Sequence, residues 1–333
     1  MSEVIISLDL GGTRIRSARL DQSLNILERK ETATMAHQGL EATLGRIKDM
    51  IRAVLPGDPT VSVAGIGISA PGPLNPQTGV IVAPPNLDGW HNVPLGDILS
   101  DEFKLPVYVG NDANVAVLAE YAHGAAKGQN YRHVIYITHS TGIGSGIICE
   151  GRLLLGRDGL AAEIGHIPLV MDGGRVSTLE EESAGPDMAA QAVKRIKAGE
   201  KSLVNDLVNG DLTLVNGSTV GKAAQQGDAL ALEIVRRSGM LVGLGIVTLL
   251  HLFNPEIVIV GGGVSNLGEL IFAPMREAIQ KYSHDPAYYE NLKLERAGLG
   301  EDVSIIGAAA LVATRGGVLD VSEFASQLKA YEA

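Results

Sequence analysis

The chain has 333 residues, enough for one large or two medium domains with a buried core. A net charge of −11, with no dense Lys/Arg cluster, argues against nucleic acid as a partner. The single cysteine, Cys149, excludes an internal disulfide and any multi-cysteine zinc site, and no apolar run approaches the length of a membrane span.

The N-terminal MSEVIISLDLGG has no basic segment leading into a long apolar one, so no signal peptide is expected and the protein is read as cytoplasmic. VIISLDL, the alternating RIRSARLD and the looser LNILERKETA predict strand, glycine turn, strand, strand. Residues 37–55 carry apolar side chains at helical spacing, and VSVAGIGISA reads as a buried strand. Two proline-rich loops follow, and then PVYVGNDA predicts a strand running straight into a helix, ANVAVLAEYAHGAA. VIYITHSTGIGSGIICEGRLLLG repeats the opening theme of strand, glycine-rich turn and strand. Helices are expected at 186–198, 218–225 and about 228–252. NPEIVIVGGG is a buried strand ending in three glycines, and NLGELIFAPMREAIQKY and VSIIGAAALVATRG close the chain as helices. Strands alternating with crossover helices predict an α/β fold. The repeated strand–glycine turn–strand unit predicts two related lobes facing a cleft.

Three glycine loops end buried strands. DLGGT (residues 9–13) offers the Gly11 and Gly12 backbone, the Thr13 hydroxyl and the Asp9 carboxylate, a set suited to phosphate and Mg²⁺; it also reads as a plain hairpin with a capping aspartate. STGIGSG (140–146), with Thr141 and Gly142, has the same two readings. Gly261, Gly262 and Gly263 could admit an adenine or its ribose, or form only a strand-to-helix turn. Taken together the three favour a nucleotide. Better-known phosphate and nucleophile motifs fail: Gly221-Lys222 is followed by Ala223, not Ser or Thr; Gly261 and Gly263 are followed by Asn266 where a dinucleotide fingerprint needs glycine; Gly67-Ile68-Ser69-Ala70 ends in Pro71.

VGNDAN places Asp112 where a strand meets a helix. An N-cap explains one polar residue there, and the remaining carboxylate could take a proton from a hydroxyl attacking a γ-phosphate.

With these motifs in order, from about residue 4 to residue 316, the chain resembles the ROK family of sugar kinases in the hexokinase/actin-like superfamily. DLGGT is similar to the family's first phosphate loop, APG (70–72) and PNLDGW (85–90) to its sugar-side loops, GNDAN to its catalytic segment and STGIGSGIICEGRLLLGRDGLAAEIGH to most of its signature. The resemblance implies a two-lobed actin-like ATPase (ribonuclease H-like) fold with a central cleft. Residues 1–113 and a C-terminal helix at about 317–333 would form the small lobe, and 114–316 the large one. It implies ATP and Mg²⁺ as cofactors, a hexose as substrate, Asp112 as general base, and sugar contacts from Gly72, Asn111, Asp112, Glu163, His166 and Glu180. Phosphates and nucleotide would be met by Asp9, Gly11, Gly12, Thr13, Thr141, Gly142, Gly261, Gly262 and Gly263, with Asp9 toward Mg²⁺. A homodimer or homotetramer is expected, with neither nucleic acid nor membrane as partner. ROK repressors carry a DNA-binding extension ahead of DLGGT, for which residues 1–8 leave no room.

Two departures stand out. Arg14 follows DLGGT where many members have Lys. The family's zinc segment CGCGxxGCLE reads MDGGRVSTLE here, its cysteines replaced by Met171, Gly173 and Thr178. His166 and Asp172 alone do not make a tetrahedral site, so no zinc is expected, and other contacts must order residues 167–179. Within LEEESAGP, Glu180 is expected to face the sugar and Glu181 and Glu182 to face solvent.

Overall fold

The computed structural model describes residues 3–170 and 172–332; Met171, one of the replaced cysteine positions, lies outside them. In chain order the elements are β1 (Glu3–Leu10), β2 (Arg14–Leu20), β3 (Ile26–Ala33), α1 (Leu40–Arg52), β4 (Ser62–Ala70), the short strands β5 (Leu74–Asn75), β6 (Val80–Ile81) and β7 (Val93–Pro94), α2 (Leu95–Phe103), β8 (Val107–Asn111) and α3 (Asp112–His123). Then come β9 (Val134–His139), β10 (Ile143–Cys149), β11 (Arg152–Leu153), β12 (Pro168–Val170), β13 (Val176–Thr178), α4 (Leu179–Ser183), α5 (Gly185–Lys197), α6 (Leu203–Leu207), α7 (Gly217–Gln225) and α8 (Ala229–Phe253). β14 (Ile257–Gly261), α9 (Glu269–Tyr282), β15 (Lys293–Arg296), α10 (Val303–Ala313) and α11 (Val321–Glu332) complete the chain. Among the described residues no helix is long and apolar enough to cross a membrane.

The chain divides into two units. The first takes residues 1–134, 146–162 and 297–333. Its sheet has the order β3-β2-β1-β4-β8. β1 pairs antiparallel with β2 but parallel with β4, and β4 parallel with β8. The parallel strands are apolar along their length because both faces are covered: Ile6, Leu8, Ile66 and Ile68 are fully buried. α3 is buried from Ala113 to Ala122, as expected of a helix enclosed on all sides. It meets α10 at very short range. A Cβ built on Gly307 of α10 would lie 2.0 Å from the Val115 carbonyl oxygen of α3, so glycine is required there.

The second unit takes residues 135–145 and 163–296. Its strands follow the order β10-β9-β14-β15, of which only the start of β10 belongs to it. The long α8 starts on an Asp228 side-chain cap to the Ala231 amide and stops at Asn254, which takes the left-handed conformation. α6 and the β12–β13 hairpin were not expected from the sequence, whose periodicity is too short there to register.

The Gly307 contact makes a direct test. Gly307→Ala is expected to destabilise the protein by about 1–3 kcal/mol through overpacking, read from the urea unfolding midpoint; an unchanged midpoint would contradict this account of the α3–α10 contact.

Candidate active site

In the first unit, β1, β4 and β8 end side by side. Asp9 is in register with Ser69, and Ala70 with Asn111. Asp9, the 70–72 turn with Gly72, and the Asn111–Asp112 step therefore lie together at the carboxyl ends of three parallel strands, where α/β sheets take their ligands.

The β1–β2 turn is built from the backbone. Gly11 donates its N–H to the Arg14 carbonyl at 2.9 Å, which closes the turn around Gly12 and Thr13. A Cβ on Gly12 would lie 2.8 Å from Asn86 Cβ, so only glycine lets the turn close on the 85–90 loop. Asp9 is not a lone carboxylate: Arg16 donates Nε and Nη2 to its Oδ2 at 3.0 and 2.6 Å, and Nη1 to the Glu301 carbonyl at 2.9 Å. Both of these guanidinium bonds fall on Oδ2, so Oδ1 is the oxygen that Arg16 does not engage.

At the next strand end the two polar residues divide the work. Asn111 is the N-cap of α3, its Oδ1 accepting the Asn114 N–H at 2.7 Å. Asp112 is therefore not needed as the cap. It sits exposed at the first helical position, at the positive end of the helix dipole.

In the second unit the candidate sugar residues gather around Ile143, the first residue of β10. Glu180 Oε2 accepts the Ile143 N–H at 2.7 Å, and a Cβ on Gly142 would lie 2.6 Å from the same oxygen. A Cβ on Gly165 would lie 2.0 Å from the Ile143 carbonyl oxygen. The lack of a side chain at Gly165 lets the 164–166 turn close onto β10. That turn is a 3₁₀ helix with the His166 N–H on the Glu163 carbonyl at 3.1 Å, a geometry in which residues three apart stand one above the other. Glu163 and His166 are both exposed, while Ile164 and Gly165 between them are buried.

The segment where the family has zinc is ordered by other bonds. β12 and β13 form an antiparallel hairpin, with Gly173 and Gly174 taking positive φ at its turn. Thr178 caps α4 by accepting the Glu181 N–H, and Glu181 returns a bond to the Thr178 N–H. Glu181 is exposed, as the sequence suggested, but Glu182 is not: it is only 5% exposed. Its carboxylate accepts Arg175 Nη2 and Arg237 Nη2, each at 2.5 Å. Burial works to raise the Glu182 carboxyl, and the two arginines outweigh it, leaving the group below the ordinary carboxylate range. A run of three glutamates looks solvated in sequence; Arg175 and the distant Arg237 together explain why one of them turns inward. Of the replaced cysteine positions within the described residues, Gly173 has no ligating atom and the Thr178 hydroxyl is used as the cap, so this donor set does not fit zinc. No group of three or more His, Cys, Asp or Glu side chains able to hold a metal occurs among the described residues.

Beside these loops the second unit holds a cavity of about 850 Å³, within the size range of nucleotide-sized ligands. Ser140, Thr141 and Gly263 line it, together with residues the sequence did not single out: Gly185 and Pro186 at the start of α5, and Gly217 and Lys222 of α7. The other two glycines of the GGG run stand behind it, Gly261 against the Tyr136 hydroxyl and Gly262, at φ 84°, against the His139 backbone. A smaller cavity of about 460 Å³ near Lys201 lies apart from the glycine loops; of its three carboxylates, Glu200, Asp206 and Asp228, the last is the α8 cap.

His139, at the end of β9, also escaped the sequence reading. It is fully buried, with Nε2 2.9 Å from the Ser183 carbonyl and 3.2 Å from the Ser238 hydroxyl. It ties the strand before Ser140 to the ends of α4 and the middle of α8. Burial pushes its pKa down to about 4.

The family whose pattern matches the chain is the ROK family, over residues 5–315. The chain is 34% identical to a glucokinase of Thermotoga maritima, over 93% of this chain and 98% of that protein. It is 32% identical to a xylose repressor of Caldicellulosiruptor bescii, over 75% of this chain and 62% of the repressor. The crystal structure of a ROK family glucokinase from Streptomyces griseus, in complex with glucose and AMPPNP, matches with a TM-score of 0.76 at 33% identity, covering 92% of this chain and 98% of that one. The fold is thus the actin-like ATPase fold.

The buried histidine sets a pH dependence. Its folded pKa lies below the unfolded value of 6.5, so between those two values the unfolded chain binds more protons and stability falls as pH falls. Lowering the pH from 7 to 5 should cost the wild type about 2 kcal/mol more than a His139→Asn variant. Urea unfolding at both pH values measures this; equal losses in the two proteins would contradict it.

Proposed function

The chain belongs to the ROK family and is a sugar kinase, and we propose that it transfers the γ-phosphoryl group of ATP to the 6-hydroxyl of a hexose, glucose first among them. The observation that carries this reading is the division of labour at the β8–α3 junction. Asn111 is the N-cap of α3, and Asp112 stands exposed at the first helical position, at the carboxyl end of β8. Its carboxylate accepts the proton of the attacking hydroxyl as the oxygen–phosphorus bond forms and the bond to the ADP oxygen breaks.

The hexose contacts we propose are Gly72, Asn111 and Asp112 in the first unit and Glu163, His166 and Glu180 in the second. Amide, imidazole and carboxylate groups match hydroxyls that both donate and accept. Glu180 spends Oε2 on the Ile143 amide, so Oε1 is its oxygen for a sugar hydroxyl. The Gly12 and Thr13 amides and the Thr141–Gly142 turn suit phosphate oxygens. The adenosine occupies the 850 Å³ cavity against Gly263. Mg²⁺ that arrives with ATP would be held through Asp9 Oδ1, and when bound it offsets the phosphate charge. Arg16 fixes the other oxygen and so the orientation of that carboxylate.

A coupled assay for ADP release over a hexose panel, with ATP and polyphosphate as alternative donors, tests the reading. Glucose with ATP is expected to give the highest kcat/KM, and Asp112→Asn to lower kcat by roughly 10²–10⁴-fold. Failure to phosphorylate any hexose, or full activity in Asp112→Asn, would sink the proposal; hexose binding with no nucleotide binding would favour a sugar-responsive regulator.

A further inference from the structure

The residues that replace the zinc segment form a cross-link. Arg175 sits at the foot of β13, Glu182 on α4 and Arg237 on α8. Arg175 Nη2 donates to Glu182 Oε1, and Arg237 Nη2 to Glu182 Oε2, each at 2.5 Å. Arg237 Nη1 also donates to the Glu182 carbonyl at 2.5 Å and lies 3.6 Å from Asp187 of α5. Two guanidinium groups and two carboxylates therefore meet in a locally neutral cluster around a buried carboxylate. They join the hairpin to three helices, the kind of cross-link that a metal with ligands on separate segments would otherwise make.

This cluster reaches the candidate sugar residues by short routes. α4 has only five residues, and Glu180 stands two before Glu182. Positions two apart on a helix point to different sides. With Glu182 drawn to Arg175 and Arg237, Glu180 is turned to Gly142 and the Ile143 amide. The hairpin extends the constraint to His166. β12 begins two residues after it, Pro168 pairs with Thr178, and the Leu179 amide donates to the Ile167 carbonyl at 3.2 Å.

We propose that Arg175, Glu182 and Arg237 are positioning residues for hexose binding, and that their ion-pair cluster takes the place of a structural metal in setting Glu180 and the His166 turn. The proposal rests on the hexose-kinase reading above. It assigns the cluster to sugar affinity; the contact with α5, whose Gly185 and Pro186 line the nucleotide cavity, is the longer 3.6 Å pair of Arg237 with Asp187.

Arg175 is the position to test, because its side chain is 59% exposed and replacing it opens no cavity in the core. It makes a single-nitrogen contact, so Lys can replace it, which would not hold for a bidentate pair. Calorimetry with glucose alone, without nucleotide or added metal, and separately with a non-hydrolysable ATP analogue, is run on wild type, Arg175→Met, Arg175→Lys and Glu182→Gln. Arg175→Met and Glu182→Gln are expected to weaken glucose binding by about 10- to 100-fold, with nucleotide affinity changed by about twofold or less and with Arg175→Lys recovering most of the loss. Prior treatment of the wild type with a chelator should leave glucose affinity unchanged. Wild-type affinity for glucose in Arg175→Met and Glu182→Gln, even with a lower melting temperature, would reduce the cluster to a stability role and overturn the proposal. So would equal losses for sugar and nucleotide, or stoichiometric zinc whose removal abolishes glucose binding. A wild type that binds no hexose would overturn this proposal and the hexose-kinase reading together, whereas one that binds glucose alongside unaffected variants would overturn this proposal alone.

Discussion

Ile143 is held from both sides of its peptide unit. Its N–H is donated to Glu180, and its carbonyl oxygen lies where only a glycine, Gly165, can approach. Through this one residue the glycine turn at 140–142, the 163–166 turn and α4 form a single arrangement within the second unit. The constraint is steric as well as electrostatic. A side chain on Gly142 would strike the Glu180 carboxylate, and one on Gly165 would strike the strand backbone. The backbone that suits phosphate and the side chains that suit sugar hydroxyls are thus anchored to the same strand start, which is what a phosphoryl transfer between the two requires.

The first unit gathers its own candidate residues by a different rule. Parallel strands end in register, and whatever follows each of them is delivered to one edge. Asp9, the Gly72 turn and Asp112 are far apart in sequence and arrive there because β1, β4 and β8 are neighbours. The local chemistry then separates their roles. Arg16 occupies one oxygen of Asp9, and Asn111 caps α3 while Asp112 stands exposed at its first position.

Much of this was legible in the sequence, since apolar runs ending in Asp-Leu-Gly-Gly-Thr, Gly-Asn-Asp and Gly-Gly-Gly mark strands, and the helical periodicities of α1, α5, α7 and α8 are strong. What stayed hidden depends on partners far along the chain. Nothing near Glu182 announces Arg237, 55 residues on, so the glutamate run reads as solvent-facing. His139 looks like one more polar residue in a turn until Ser183 and Ser238 close over it. The GGG run reads as three equivalent ligand-facing glycines, yet Gly261 and Gly262 are used for packing on β9 and Gly263 alone lines the cavity. Glycine runs reveal that backbones approach closely, not what they approach.

The account stands on Glu180 as the residue proposed to join sugar to strand, while its neighbour Glu181 bonds Thr178 and Ser177 ahead of α4. Calorimetric titration of glucose into Glu180→Gln and Glu181→Gln, the latter able to keep its capping bonds, separates the two directly. Glu180→Gln is predicted to weaken glucose binding by about tenfold or more, with Glu181→Gln indistinguishable from wild type. Unchanged glucose affinity in Glu180→Gln, or equal losses in both variants, would contradict the account.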